Sequence, residues 1–445
     1  MLLAEKEAKT ITEKMLSFVK ANDAAVSVSS EDASHIRFAE NSFLTSGKRE
    51  NRGANVTVWI DGKRGSSSTN DLDANSLRQA VEQAEQIARL APVDREYIPT
   101  LGAQTYRAVN GFVEATAKIS PVTRAKAIGS ILAESEKSKI IAAGFYQVQA
   151  EAFAFATKNG NFGFQRETVV GLSVTGRTSD GTSSGYFARS HFDANKLDTA
   201  RIAREAIRRT LDGRNAKALN AGVYTVILEP QAVADLLGFF GGGFDARSAE
   251  EGRSPYSAQG GKTKRGEKIF DERINILSDP WNAELPGSQS AQAGIPAQKV
   301  YLVKNGVLDN LIYSRFWAKE KGTEPTPGPV NTIMETSGKP VTVEEMISST
   351  KRGLLISRFW YIRSTDPRTA SLTGLTRDGV WLVENGKIQY PVKNFRFNQS
   401  IIQMLAPGNV EMIGASERVG DTDSASLLPP LKLKAFNFTS QSEAV

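Results

Sequence analysis

The sequence predicts an α+β fold: a duplicated helix/antiparallel-sheet N-terminal domain followed by a β-rich C-terminal domain. Three observations carry this expectation. Residues 73–91, DANSLRQAVEQAEQIARLA, are echoed at 193–211 by DANKLDTARIAREAIRRTL. The segments before them, VTVWIDGKRGSSS (56–68) and LSVTGRTSDGTSSG (172–185), each alternate apolar and polar residues and then turn at glycine. From about residue 221 the texture changes to short apolar strands separated by loops rich in Gly, Ser and Pro.

Each element has a local reason. An amphipathic helix is expected at about 4–21. The start lacks the basic-then-apolar layout of a signal peptide, so a cytoplasmic protein is expected. In the first copy Leu77, Val81, Ala84 and Ala88 fall on one helical face, and Asp73 stands at the capping position. A connector with Pro92 and Pro99 spans about 92–118, and a further helix is expected at 120–138. The second copy predicts a cap at Asp193 and a helix end at Gly213. Repeat units of about 1–91 and 120–213 thus fill a first domain, 1–218, and the second domain is 219–445. There, VYTVILE (223–229) reads as a strand, and helices are expected at 230–240 and near 343–352. YLVKNGVLDN (301–310) and WLVENGKIQY (381–390) read as hairpins, because Asn-Gly supplies both left-handed residues of a type I′ turn. TEPTPGPV (323–330) cannot form regular structure.

Composition narrows the chemistry. The 445 residues carry a net charge of +6, with Lys and Arg spread along the chain, so no nucleic-acid arm is expected. No stretch approaches the roughly 18 consecutive apolar residues of a membrane helix. Cysteine is absent, which excludes disulfides and thiolate chemistry. There are two histidines, His35 and His191, far apart in sequence. A three-histidine or cysteine-based zinc site cannot be assembled from them, although two His with a carboxylate stays open.

The short motifs lack their required context. GTSSG (181–185) fits the Gly-x-Ser-x-Gly pattern around Ser183, but it sits in a hairpin rather than at a strand-to-helix elbow. GGKT (260–263) has Tyr256 where a phosphate loop needs its first glycine. FFGGGF (239–244) follows a helix instead of opening one. Asp421 and Asp423 lack the rest of a calcium loop. The polar segment 247–280 is long enough to suggest function or disorder, and it carries Arg247, Arg253, Lys262, Lys264, Arg265 and Lys268 around Tyr256.

Three longer segments are more specific. ENSFLTSGKRENRGANVTVWIDGKRGSSSTN (40–70), SPYSAQGGKTKRGEKIFDERINILSDP (254–280) and SRFWYIRSTDPRTASLTGLTRDGVWLVENGKIQYPVKNFRFN (357–398) occur in order and resemble the signatures of the TldD/PmbA family. The resemblance implies a two-part fold and an intracellular metalloprotease made of paired subunits. It implies that the TldD branch holds zinc through His-Glu-x-x-x-His on a helix and a Cys near the C-terminus. Here PQAVADLLGFF (230–240) occupies about the place of that helix and has no His, and EMIGASERVGDTD (411–423) has no Cys. The resemblance is therefore to the TldE (PmbA) branch, with no catalytic residue and no metal ligand, and zinc is expected only in a TldD-like partner.

A peptide-binding and assembly role is expected, with unfolded peptide added to exposed C-terminal sheet edges. The candidate peptide- or partner-binding residues are Gly241, Gly242, Gly243, Arg247, Arg253, Tyr256, Lys262 and Arg363. Expected partners are a TldD-like zinc-bearing subunit, a second copy of the chain, or both. Two alternatives remain open: an independent metallopeptidase of the same fold with other ligands, and a homodimeric peptide-binding scaffold.

Overall fold

The computed structural model describes residues 2–422 and 425–442. Helix α1 (Glu5–Ser17) precedes β1 (Asp23–Ala39), β2 (Ser42–Ile60), β3 (Lys63–Thr69) and α2 (Ala74–Leu90). After the connector come α3 (Glu114–Ala117), α4 (Pro121–Lys137), β4 (Ile140–Thr157), β5 (Phe162–Thr178), β6 (Ser184–His191) and α5 (Thr199–Asp212). The six strands form one antiparallel sheet in the order β3-β2-β1-β4-β5-β6. Each repeat unit supplies three strands, and the copies meet at β1 and β4.

Strand alternation sorts the two faces of this sheet. On β4, Ala142, Tyr146, Val148, Ala150, Ala152 and Ala154 are buried. This face packs against α1, α4 and α5, while α2 and α1 cover the matching residues of β1 and β2. The opposite face of β4 presents Phe145, Gln147, Gln149, Glu151, Phe153 and Phe155, none of them fully buried.

The predicted turns form for the predicted reason. Asp61-Gly62, Asn305-Gly306 and Asn385-Gly386 all have positive φ at both positions. Asp73 caps α2 by accepting from the Asn75 and Ser76 amides. The second cap is a correction. Asp193 caps only a 3₁₀ turn at Ala194–Lys196, and Asp198 caps α5. Leu197 has extended φ/ψ and packs against the core, which delays the helix. Gly213 ends α5 without a left-handed φ. A Cβ there would lie 2.5 Å from Ser183 Oγ, so lack of space is what calls for glycine.

The C-terminal half begins with β7 (Gly222–Leu228), α6 (Pro230–Leu237) and α7 (Ala246–Glu250). It continues with β8 (Ile274–Ser278), β9 (Val300–Lys304), β10 (Val307–Leu308), α8 (Arg315–Lys321), β11 (Ile333–Thr336) and α9 (Val343–Ser348). It ends with β12 (Arg352–Asp366), β13 (Ser371–Glu384), β14 (Lys387–Pro391), β15 (Phe395–Ser400), α10 (Ile401–Met404), β16 (Val410–Ile413), β17 (Glu417–Val419), β18 (Ser426–Leu428) and β19 (Leu431–Gln441). One sheet runs β10-β9-β8-β11-β18-β17. The other runs β12-β7-β19-β15-β13-β14, and β12 also pairs with β13. Five strands therefore close into a ring, which removes their edges. Phe359, Phe397 and Phe436 fill it, with ring centroids 4.8–5.6 Å apart. Closure narrows the expected strand addition: the sheets of this half end on the short β14, β16 and β17, while the outer side of β10 is taken by residues 266–268, where the Gly266 amide donates to the Leu308 carbonyl at 2.8 Å. No helix among the described residues is long and apolar enough to cross a membrane.

Candidate functional site

Helix α6 starts with Pro230 at its first turn, where a missing N–H costs nothing. Pro230, Ala232, Val233, Leu236 and Leu237 are buried, so the helix lies inside the C-terminal core. Its polar side chains, Gln231 and Asp235, stand one turn apart. Gln231 Nε2 donates to Asp235 Oδ1 at 2.8 Å, the Phe359 amide donates to Asp235 Oδ2 at 2.8 Å, and the Gly420 amide donates to Gln231 Oε1 at 3.2 Å. Desolvation pushes the Asp235 carboxyl up to about 6, against the pull of Arg358. Arg358 lies 3.9 Å over the Tyr186 ring and 3.4 Å from Asp378, which accepts from Ser184 Oγ at 2.6 Å.

These donors do not make a zinc site. One carboxylate and one amide are engaged with each other and with backbone, and both imidazoles are held by other neighbours. His35 lies within β1, stacked on Phe145. His191 closes β6, where its Nδ1 accepts from the Asp193 amide and burial holds its imidazole below the usual range. Among the described residues no three His, Cys, Asp or Glu side chains converge. Ser183 is buried and donates to the Thr210 carbonyl at 2.6 Å, which leaves its hydroxyl a structural role. Asp423 lies outside the described residues.

The glycine turn follows α6 as a 3₁₀ segment, Gly241–Phe244. Phe240 and Phe244 drop from it into the core and meet Tyr256 and Phe270. A Cβ on Gly241 or Gly242 would touch nothing within 4 Å, so the fold itself does not demand glycine there. Gly242, Gly243 and Arg253 line a cleft of about 670 Å³ with Phe239, Ser364 and Arg368. Arg363 is exposed beside it, with its guanidinium 4.6 Å from the Tyr361 ring.

The other candidates part company with this cleft. Tyr256 is fully buried and its side chain holds the loop to the core rather than meeting a partner. Arg247 pairs with Glu96 at 2.6 Å and with Glu251 at 2.9 Å, tying the connector to the C-terminal half. Lys262 is exposed on the far limb of the loop. The segment 247–280 folds back on the core through buried Ser254, Tyr256, Phe270 and Asp271.

Sequence reasoning passed over the open face of the six-stranded sheet. Its signal was present in YQVQAEAFAFA (146–156), where small buried residues alternate with Gln, Glu and Phe. Only the pairing of β1, β4 and β5 shows which of these side chains become neighbours.

Residues 221–440 match the model described as the PmbA/TldA metallopeptidase C-terminal domain, residues 24–88 its domain 1 and residues 114–214 its central domain. The chain is 25% identical over 280 residues to an uncharacterised protein of Methanocaldococcus jannaschii, covering 62% of each. It is 29% identical over 172 residues to a metalloprotease of Methanothermobacter thermautotrophicus, covering 35% of this chain and 36% of that protein. It is 24% identical over 261 residues to a metalloprotease TldD homolog of Buchnera aphidicola, covering 55% and 52%. The matches thus span between about a third and two thirds of the lengths of these curated relatives. In fold, the chain is similar to TldE from Thermococcus kodakarensis, with a TM-score of 0.86 at 18% identity over 97% of this chain and 99% of that one.

Proposed function

Because the chain belongs to the PmbA/TldA metallopeptidase family, we propose that it is a non-catalytic, TldE-type subunit of a zinc peptidase in the cytoplasm. It supplies peptide-binding surface and stabilises a TldD-like subunit that carries the zinc. The observation that carries this reading is α6. The helix that would bear a metal-binding pattern offers Gln231 and Asp235, both already bonded within the chain. A peptidase of this kind needs zinc to activate water, so the bond cleavage falls to the other subunit. The cleft beside Gly242, Gly243 and Arg253 is open to an extended chain and supports a role in peptide handling.

Co-expression with a TldD-type family member tests the reading. The expected outcome is a stable complex that cleaves unfolded peptide, while the chain purified alone holds no stoichiometric zinc and cleaves nothing. One zinc per chain with chelator-sensitive cleavage, or a homodimer that ignores the zinc-bearing relative, would overturn it.

A further inference from the structure

On the open face of the six-stranded sheet, an aromatic pocket of about 530 Å³ lies at one end, walled by Trp59, Tyr97, Phe153, Phe155 and Phe316. Phe153 is shared with a second cavity of about 530 Å³, and that cavity shares Glu151 and Glu167 with a third of about 210 Å³. The three follow one another along β4, adjoining at these shared side chains, and together line one trough on this face. Its roof is the segment 288–294, held down where Gln289 meets Gln165 and where Tyr106 donates to the Gly294 carbonyl at 2.6 Å.

The floor of the trough carries an unusual row. Glu31 of β1 is paired in register with Glu151 of β4, and Glu151 with Glu167 of β5. Like charges placed directly opposite one another in a sheet repel. Glu31 is answered by Arg49 and Asn51. Neither Glu151 nor Glu167 forms an ion pair among the described residues; Glu151 accepts from Gln149 and feels the Arg49 charge, and Glu167 accepts from Gln165 at 3.5 Å. Desolvation in the trough and the Glu151 charge hold the Glu167 carboxyl above its usual range. A net-positive chain has thus placed two carboxylates without ion pairs beside an aromatic pocket, with Arg418, whose guanidinium donates to the Ser190 and Glu284 carbonyls, lining the same cavity as both.

We propose that this trough binds an extended peptide that places an aromatic side chain against Phe153, at the near end of the aromatic pocket, and a Lys or Arg side chain over Glu151 and Glu167. Charge complementarity fixes the basic residue, and the apolar walls fix the aromatic one. Phe153 and Glu151 are two positions apart on one strand face, about 7 Å, the same rise that separates alternate residues of an extended peptide. The favoured pattern is therefore aromatic-x-basic. The inference rests on the peptide-handling reading above and names its substrate class.

The test uses the full chain and three fluorescent, end-blocked peptides: Gly-Phe-Gly-Lys-Gly, the same with Glu for Lys, and the same with Gly for Phe. The expected result is that the first binds at least tenfold more tightly than either of the others at low salt. Binding weakens as salt rises, since the exposed charges are screened. The double variant E151Q/E167Q, which removes repulsion and keeps the side-chain volume, should fold normally and lose the preference for Lys over Glu. Equal affinity for the Lys and Glu peptides, or an unchanged preference in the folded double variant, would overturn the inference. Failure to associate with a zinc-bearing relative would sink the subunit reading and leave these binding ratios unaffected, so the two failures are distinguishable.

Discussion

At the scale of single residues, Asp235 shows how burial changes what a side chain does. In PQAVADLL it sits one turn after Gln231, as an exposed helix-surface pair would. In the fold it is partly buried, faces Arg358 and Asp378, and has its carboxyl raised from 3.8 to about 6. The folded state then binds more protons than the unfolded chain between those values. Its contribution to stability is complete below about 3.8 and is lost as pH rises through about 6. The shift corresponds to roughly 3 kcal/mol. Chemical denaturation of wild type and D235N at a series of pH values from 4 to 7 should show the difference between them shrinking with pH by an amount of that order. Parallel curves would refute the assignment. Gln231 was legible as a helical residue, but the Phe359 and Gly420 amides that engage this pair lie more than a hundred residues away.

At the scale of elements, the duplication reaches atomic detail. In the first unit a Cβ on Gly65 of β3 would lie 2.0 Å from the Ala84 carbonyl of α2. In the second, a Cβ on Gly185 of β6 would lie 2.4 Å from the Thr210 amide of α5. Both copies thus seat a helix backbone directly on an edge-strand glycine. Gly129 of α4 is the contrast, with open space around its Cβ position. We expect G65A and G185A each to destabilise by about 1–3 kcal/mol or more through overpacking. G129A should stabilise by up to about 1 kcal/mol through helix propensity. Thermal and denaturant melts of the three variants check both signs. The repeat was readable because cap, periodicity and turn residues are local signals. The late start of α5 was not, because it depends on where Leu197 packs.

At the scale of the whole molecule, β6 joins the two halves. Arg209 of α5 meets Glu229, the residue before α6, at 2.6 Å, and both side chains are largely buried. Arg189 meets Glu417 at 3.1 Å, and the Arg418 guanidinium donates to the Ser190 carbonyl at 2.7 Å. Burial lowers Arg418 to about 10. Removing one partner of a buried pair strands the other charge, which costs more than the pair contributes. E229A is therefore expected to lose about 3–5 kcal/mol. Wild type should unfold in one transition, with E229A lowering its midpoint or splitting it into two. An unchanged denaturation curve would show that the halves are not coupled through this pair.

The sequence by itself determined the α+β class, the duplicated unit, the I′ hairpins, and the lack of enough imidazole or thiol groups for a conventional zinc site. These rest on residue type and on patterns no longer than one helix or hairpin, the duplication being such a local pattern met twice. Only the tertiary structure decided that five C-terminal strands close into a ring, that Tyr256 is core, and that Glu31, Glu151 and Glu167 stand in one row. Strand register and sheet closure bring together residues more than a hundred positions apart, and no local pattern of side chains specifies which will meet.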